Sequence, residues 1–222
     1  PGTGNDSTMA RVAIVDPELM VSLPREVTRN TGIDVLFHAM ESFIANVATP
    51  FTDLFSREAI RLVAAQVPHF LVGAGTVLTV DQADRALAAG AQFVVSPGFD
   101  PEIVCWCLER EVWVLPGAAT PTEIQMALAR GLRHVKFFPA ELLGGVRMLK
   151  ALGEVYSQMR FIPTGGINPE NLGDYLSVSA VYACGGTWLA KADLIQRGAF
   201  GEIERLAREA VQVVARTRGD GC

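Results

Sequence analysis

Lys136 has the surroundings best suited to covalent chemistry. It stands in His134-Val135-Lys136-Phe137-Phe138-Pro139-Ala140-Glu141, an apolar run that carries one amine and stops at a proline. Of the other two lysines, Lys150 and Lys191 fall where helices or helix starts are expected, and both read as solvated side chains. An amine set among Val135, Phe137 and Phe138 is desolvated, which lowers its pKa and makes it a nucleophile toward a carbonyl. The plainer alternative is a lysine whose head reaches out past a strand end. Gly165-Gly166 and Gly185-Gly186-Thr187 follow the next two apolar runs and are expected to end strands just before helices. Glycine there lets the backbone approach a ligand, and N–H groups at helix starts favour a phosphate or carboxylate. Thr76 and Thr164 add hydroxyls at the same level. A lysine nucleophile and a phosphate cradle, with no metal cluster and no cofactor motif, suggest Schiff-base chemistry on a keto acid or sugar phosphate.

These residues are carried by a repeating pattern. Apolar runs start near Phe70, Ala91, Val112, His134, Arg160 and Ala180, about 20–25 residues apart, which is one strand plus one helix. Thr79-Val80-Asp81-Gln82 and Thr120-Pro121-Thr122-Glu123 are capping-box patterns. Asp100-Pro101 and Asn168-Pro169 repeat the cap-then-proline signal, and Gly90 and Gly131 are expected stops. The runs are apolar on both faces, as parallel strands under helices are. Six such units with Gly or Pro at each strand end predict an α/β fold of the (β/α)8 type, with those ends gathered at one mouth. Arg11–Val15 makes a seventh strand, and an eighth, expected between residues 46 and 53, has no sequence signal. Helices are expected over 26–47, 53–66 and 201–217. The expectation is therefore an incomplete TIM-type barrel over residues 63–222, packed as one domain with an atypical helix-rich segment over 1–62.

The totals narrow the partners. Half of the 222 residues are hydrophobic and the formal net charge is −5. With no basic run, nucleic acid and anionic membranes are not expected partners. No apolar stretch reaches bilayer length and no secretory signal is present. Of Cys105, Cys107, Cys184 and Cys222, the first two lie two apart in an expected helix and read as reduced packing thiols, and a cytoplasmic protein is expected.

From about Arg57 to Arg216 the chain resembles the 2-keto-3-deoxy-6-phosphogluconate aldolase family. The residues that carry this are Val72-Gly73-Ala74-Gly75-Thr76-Val77, Gly90-Ala91-Gln92-Phe93, Ser96-Pro97-Gly98, Lys136 through Glu141, Pro163-Thr164-Gly165-Gly166-Ile167 and Gly185-Gly186-Thr187-Trp188. The resemblance implies a class I carbon–carbon lyase that splits a small phosphorylated keto acid to pyruvate and glyceraldehyde 3-phosphate, usually as a homotrimer. It would make Lys136 the Schiff-base lysine, Thr76 a pyruvate contact and Phe138 a pocket wall. Gly165, Gly166, Gly185, Gly186 and Thr187 would hold phosphate.

The family's second strand also carries a proton-moving Glu and a nearby carboxylate-binding Arg, and here the chain departs. Residues 1–62 instead resemble the iron-dependent alcohol dehydrogenases, through Gly2-Thr3-Gly4, Arg11 to Leu19, Thr31 to Glu41 and Pro50-Phe51-Thr52-Asp53. That resemblance implies a chimera, with Asp34 and His38 as metal ligands spaced i, i+4 on one helix face. The further histidines of that family are missing, and a capped helix with a polar face is the better account of Asp34 and His38. Glu141 and Glu26 are the carboxylates available to replace the lost Glu. The reading is an impaired aldolase; an inactive chimeric scaffold and a metal-binding dehydrogenase-derived module are its alternatives.

Overall fold

The computed structural model describes residues 73–191, 193–194, 197 and 199–218. Arg11–Val15, the helices expected over 26–47 and 53–66, the strand sought between 46 and 53, and the candidates Glu26, Asp34 and His38 lie outside the described residues.

Strands and helices alternate along the described chain, as the repeat predicts. β1 (Gly73–Ala74), α1 (Val80–Ala88), β2 (Phe93–Val95), α2 (Pro101–Glu109), β3 (Trp113–Leu115), α3 (Pro121–Ala129) and β4 (His134–Phe137) come first. A 3₁₀ turn (Glu141–Leu143), α4 (Gly145–Val155), β5 (Arg160–Pro163), α5 (Leu172–Leu176) and α6 (Phe200–Arg218) follow. β1, β2 and β3 pair in parallel and in sequence order, and so do β4 and β5. Parallel bridges join Gly117 to Lys136 and Phe161 to Val181, so the two sheets and the 181–185 segment form one continuous parallel series.

Short-range chemistry starts the early helices. The Asp100 carboxylate accepts from the Glu102 and Ile103 N–H groups ahead of α2. Thr120 and Glu123 close a full capping box at α3, with Pro121 at its first position. Only half of the expected box forms at α1. Thr79 accepts from the Gln82 N–H, but the Gln82 side chain turns to the Leu78 N–H instead. Asn168 caps a turn rather than a helix, since its side chain takes the Glu170 and Asn171 N–H groups and α5 begins only at Leu172.

Strand alternation decides which side chains reach the mouth. In β4 and β5, Val135 and Phe161 are paired in register, as are Phe137 and Pro163. Val135, Phe137 and Phe161 are fully buried in one core with Ile124, Leu149, Leu172 and Tyr175 from the helices. Lys136, paired with Ile162, is therefore on the opposite face, away from the helices. A second core of Ala74, Ala83, Val94, Ile103, Val104 and Val114 fills the space between β1–β3 and α1–α2. Phe137 and Phe161 meet edge to face, with ring centroids 6.4 Å apart. Among the described residues no helix is long and apolar enough to cross a membrane.

Candidate active site

Lys136 is held by its backbone before its side chain is considered. Its N–H donates to the Pro116 carbonyl at 2.9 Å, and its carbonyl accepts from the Ala118 N–H at 2.8 Å. β5 pairs with its other edge. A residue hydrogen-bonded on both sides has little freedom, which suits a nucleophile. The side chain is half-buried, with Nζ 4.8 Å from the centroid of the Phe138 ring. The same ring approaches Gly165, where a Cβ would lie 3.2 Å from it. The structure thus brings Lys136, Phe138 and Gly165 together around one aromatic wall.

The loop after β5 crosses to the loop after β4. The Thr164 N–H donates to Phe137, Ala140 N–H donates to Thr164, and Glu141 N–H donates to Gly165. Gly165 and Gly166 both adopt positive φ, +91° and +85°, which L side chains rarely tolerate. A Cβ on Gly166 would also lie 2.4 Å from the Glu141 Cβ. Glycine is required there by conformation and by contact.

Thr164 shares the face of Ile162 and Lys136. Its Oγ1 is buried without a hydrogen-bond partner among the described residues. A buried hydroxyl without a partner carries an uncompensated desolvation cost, and such groups mark binding and catalytic positions. On the next segment Gly185 bridges to Thr164 and donates its N–H to Pro163 at 3.0 Å. A Cβ there would lie 2.6 Å from Thr164 Cγ2. The Trp188 ring packs onto Gly186, and Thr187 is exposed. Arg218, at the end of α6, fixes this segment by donating to the Val181 and Tyr182 carbonyls at 2.6 and 2.5 Å.

Thr76 follows β1 by two residues on the same rim, separated from β4 by β2 and β3. It is exposed and holds φ +58°. A β-branched residue in the left-handed region costs roughly 1–2 kcal/mol, and such strain gathers at functional positions.

Glu141 points elsewhere. Its Oε2 accepts from the Tyr175 hydroxyl at 2.7 Å and from Asn171 Nδ2 at 3.4 Å. Burial, then the hydrogen bond to Glu141, push the Tyr175 phenol well above its usual range. Burial likewise pushes the Cys184 thiol up to about 12, against the pull of Arg218. Sequence reasoning missed Tyr175 and Asn171. Their i, i+4 spacing, which puts both toward one side of a helical turn, was the available signal.

The glycine loops do not lead into helices as expected. Residues 187–190 form turns, and α5 starts six residues after Gly166 and is only five residues long. Any anion-binding N–H groups must come from the loops themselves. Among the described residues no group of three or more His, Cys, Asp or Glu side chains could hold a metal.

The family model "KDPG and KHG aldolase" matches residues 39–206, so the match enters the segment read as dehydrogenase-like. The chain is 49% identical over 164 residues to a 2-dehydro-3-deoxy-phosphogluconate aldolase of Treponema pallidum, covering 74% of this chain and 78% of that one. A KDPG aldolase from Legionella pneumophila, whose crystal structure holds pyruvate captured at low pH as a covalent carbinolamine intermediate, is 32% identical. That similarity covers 87% of this chain and 97% of the other, with a TM-score of 0.67. The 2-keto-3-deoxy-6-phosphogluconate aldolase of Zymomonas mobilis ZM4, solved with 3-phosphoglycerate, is 32% identical over 88% and 94% of the two chains, with a TM-score of 0.65.

Proposed function

The chain belongs to the KDPG and KHG aldolase family, and from that premise we propose a cytoplasmic class I aldolase that cleaves 2-keto-3-deoxy-6-phosphogluconate through Lys136. The observation that carries the proposal is the cluster of Lys136, Phe138, Thr164 and Gly165 on one rim. The neutral amine adds to the C2 carbonyl, giving a carbinolamine that loses water to an iminium ion. The iminium draws electrons as the C3–C4 bond breaks. The C4 hydroxyl gives up its proton and leaves as the aldehyde of glyceraldehyde 3-phosphate. The enamine left on Lys136 takes a proton at C3, and water then hydrolyses the imine to release pyruvate and the lysine. Thr76 and the partnerless Thr164 hydroxyl bind the pyruvate end, Phe138 walls off water, and Gly165, Gly166, Gly185, Gly186 and Thr187 receive the phosphate.

The proton step is the weak one. Of the two candidate substitute bases, Glu141 already accepts from Tyr175 and Asn171, and Glu26 lies outside the described residues. Loss of a positioned base typically costs about 10²–10⁴-fold, so turnover in this chain is slow. The same proposal includes the homotrimer that the family resemblance implies. It also includes a join between a dehydrogenase-like segment over 1–62 and the aldolase-like residues 63–222, without a working metal at Asp34 and His38. Light scattering reads the trimer, and elemental analysis reads the metal.

Pyruvate release, followed with a coupled lactate dehydrogenase assay, tests the activity. Slow cleavage that disappears in Lys136→Ala is expected. Cleavage that survives in Lys136→Ala would remove the lysine from the mechanism, and no cleavage in the folded parent would favour the inactive scaffold.

A further inference from the structure

Glu141, Tyr175 and Asn171 form a polar group that the reaction above does not use. Tyr175 is 1% exposed, so its hydroxyl is committed to the Glu141 carboxylate. Asn171 Nδ2 reaches both Glu141 Oε2, at 3.4 Å, and the Gly166 carbonyl, at 2.9 Å. Its Oδ1 takes the Asn168 N–H at 2.9 Å, which fixes the orientation of the amide. The Glu141 N–H donates to the Gly165 carbonyl at 3.1 Å. Both carbonyls of the glycine pair are thereby drawn toward this group.

A planar trans peptide points its N–H opposite to its carbonyl. With the Gly165 carbonyl held by Glu141, the Gly166 N–H faces away from the group. With the Gly166 carbonyl held by Asn171, the Ile167 N–H faces away as well. Neither N–H donates to another described residue. Two successive N–H groups turned out of a loop make an anion-binding concavity. Because no helix start lies beside the glycines, this orientation has to come from side chains.

We propose that Glu141, with Tyr175 and Asn171, is a positioning residue that orients the Gly165–Gly166–Ile167 peptides toward the substrate's phosphate. The proposal rests on the aldolase reading for the identity of the anion, and Ile167 joins the cradle through its backbone. Glu141 is then a positioning residue and not the replacement base.

Calorimetric titration with inorganic phosphate, beside steady-state kinetics and pyruvate–borohydride trapping, tests it. In Tyr175→Phe and Glu141→Ala, phosphate Kd and substrate KM rise about tenfold, each a factor worth about 1.4 kcal/mol. Pyruvate trapping at Lys136, which involves no phosphate, stays near its parental value. Glu141→Gln still accepts from Tyr175 and restores most of the affinity. Asn171→Ala, at a partly exposed position, gives the same phosphate result should the buried tyrosine variant not fold. Unchanged phosphate Kd in Tyr175→Phe and Asn171→Ala would overturn the proposal. So would a collapse of kcat in Glu141→Gln with KM unchanged, which would make the carboxylate a proton carrier. Phosphate binding is read without turnover, so a parent that traps no pyruvate would count against the lysine mechanism while the positioning group was still tested.

Discussion

The two halves of the strand series hold their loops by different means. After β2 and β3, and ahead of α1, polar groups are satisfied by near neighbours. Ser96 donates to Gly98, Asp100 caps α2, Thr120 and Glu123 cap α3, and Gln82 turns back to Leu78. After β4 and β5 the partners are remote, with Tyr175 and Glu141 34 positions apart and Asn171 and Glu141 30 apart. In the early loops these side-chain bonds stay local, and the loops meet one another through backbone, with Val77 N–H donating to Val95 and Ser96 N–H to Leu115. Cross-loop bonding makes the later pair a single body, and beside it the Thr164 hydroxyl has no partner among the described residues. Chemistry is expected where side chains tie the loops to one another.

Changes in each half sharpen that contrast. Gly117→Ala attacks the early half at its tightest point, because a Cβ there would lie 1.9 Å from the Pro97 carbonyl oxygen, and backbone cannot yield. Urea unfolding is expected to show a loss of about 3 kcal/mol, at the upper end of overpacking costs. Gly166→Ala attacks the later half by conformation and by contact with Glu141. Its kcat/KM is expected to fall about a hundredfold, as misplacement in a site does, with a smaller stability loss. Asp100→Ala removes a cap from α2 and costs about 1 kcal/mol in the same unfolding experiment. Phosphate affinity should be unchanged, since the Asp100 carboxylate bonds the start of its own helix.

The last contrast is in pH dependence. The Cys184 thiol is pushed from its ordinary 9.0 to about 12 in the folded chain. Between those values the unfolded chain loses this proton while the native one keeps it. That contribution to stability is whole below pH 9 and declines as pH rises toward 12. Thermal melts above pH 9 should fall less steeply in Cys184→Ala than in the parent. An equal slope would contradict the assignment.

The same contrast explains what could be read from sequence. The strand–helix repeat and the caps at Asp100 and Thr120 were legible because their causes lie within four residues. Lys136 stands out in the sequence because its apolar neighbours are adjacent in the chain. Gly165-Gly166 could be recognised as a tight corner, but the direction of its N–H groups depends on Glu141 and Asn171 from outside the corner. Tyr175, at a buried position in α5, gives no sign that its hydroxyl has a carboxylate partner 34 residues away. The helices expected after the glycine pairs failed because Asn168 bonds a turn and residues 187–190 turn again.

The central claim is that Lys136 forms an imine, and intact mass after pyruvate and borohydride reads it most directly. One pyruvyl adduct on the parent, absent in Lys136→Ala, is the predicted result. A well-folded parent that gains no mass, or an adduct that persists in Lys136→Ala, would contradict the claim.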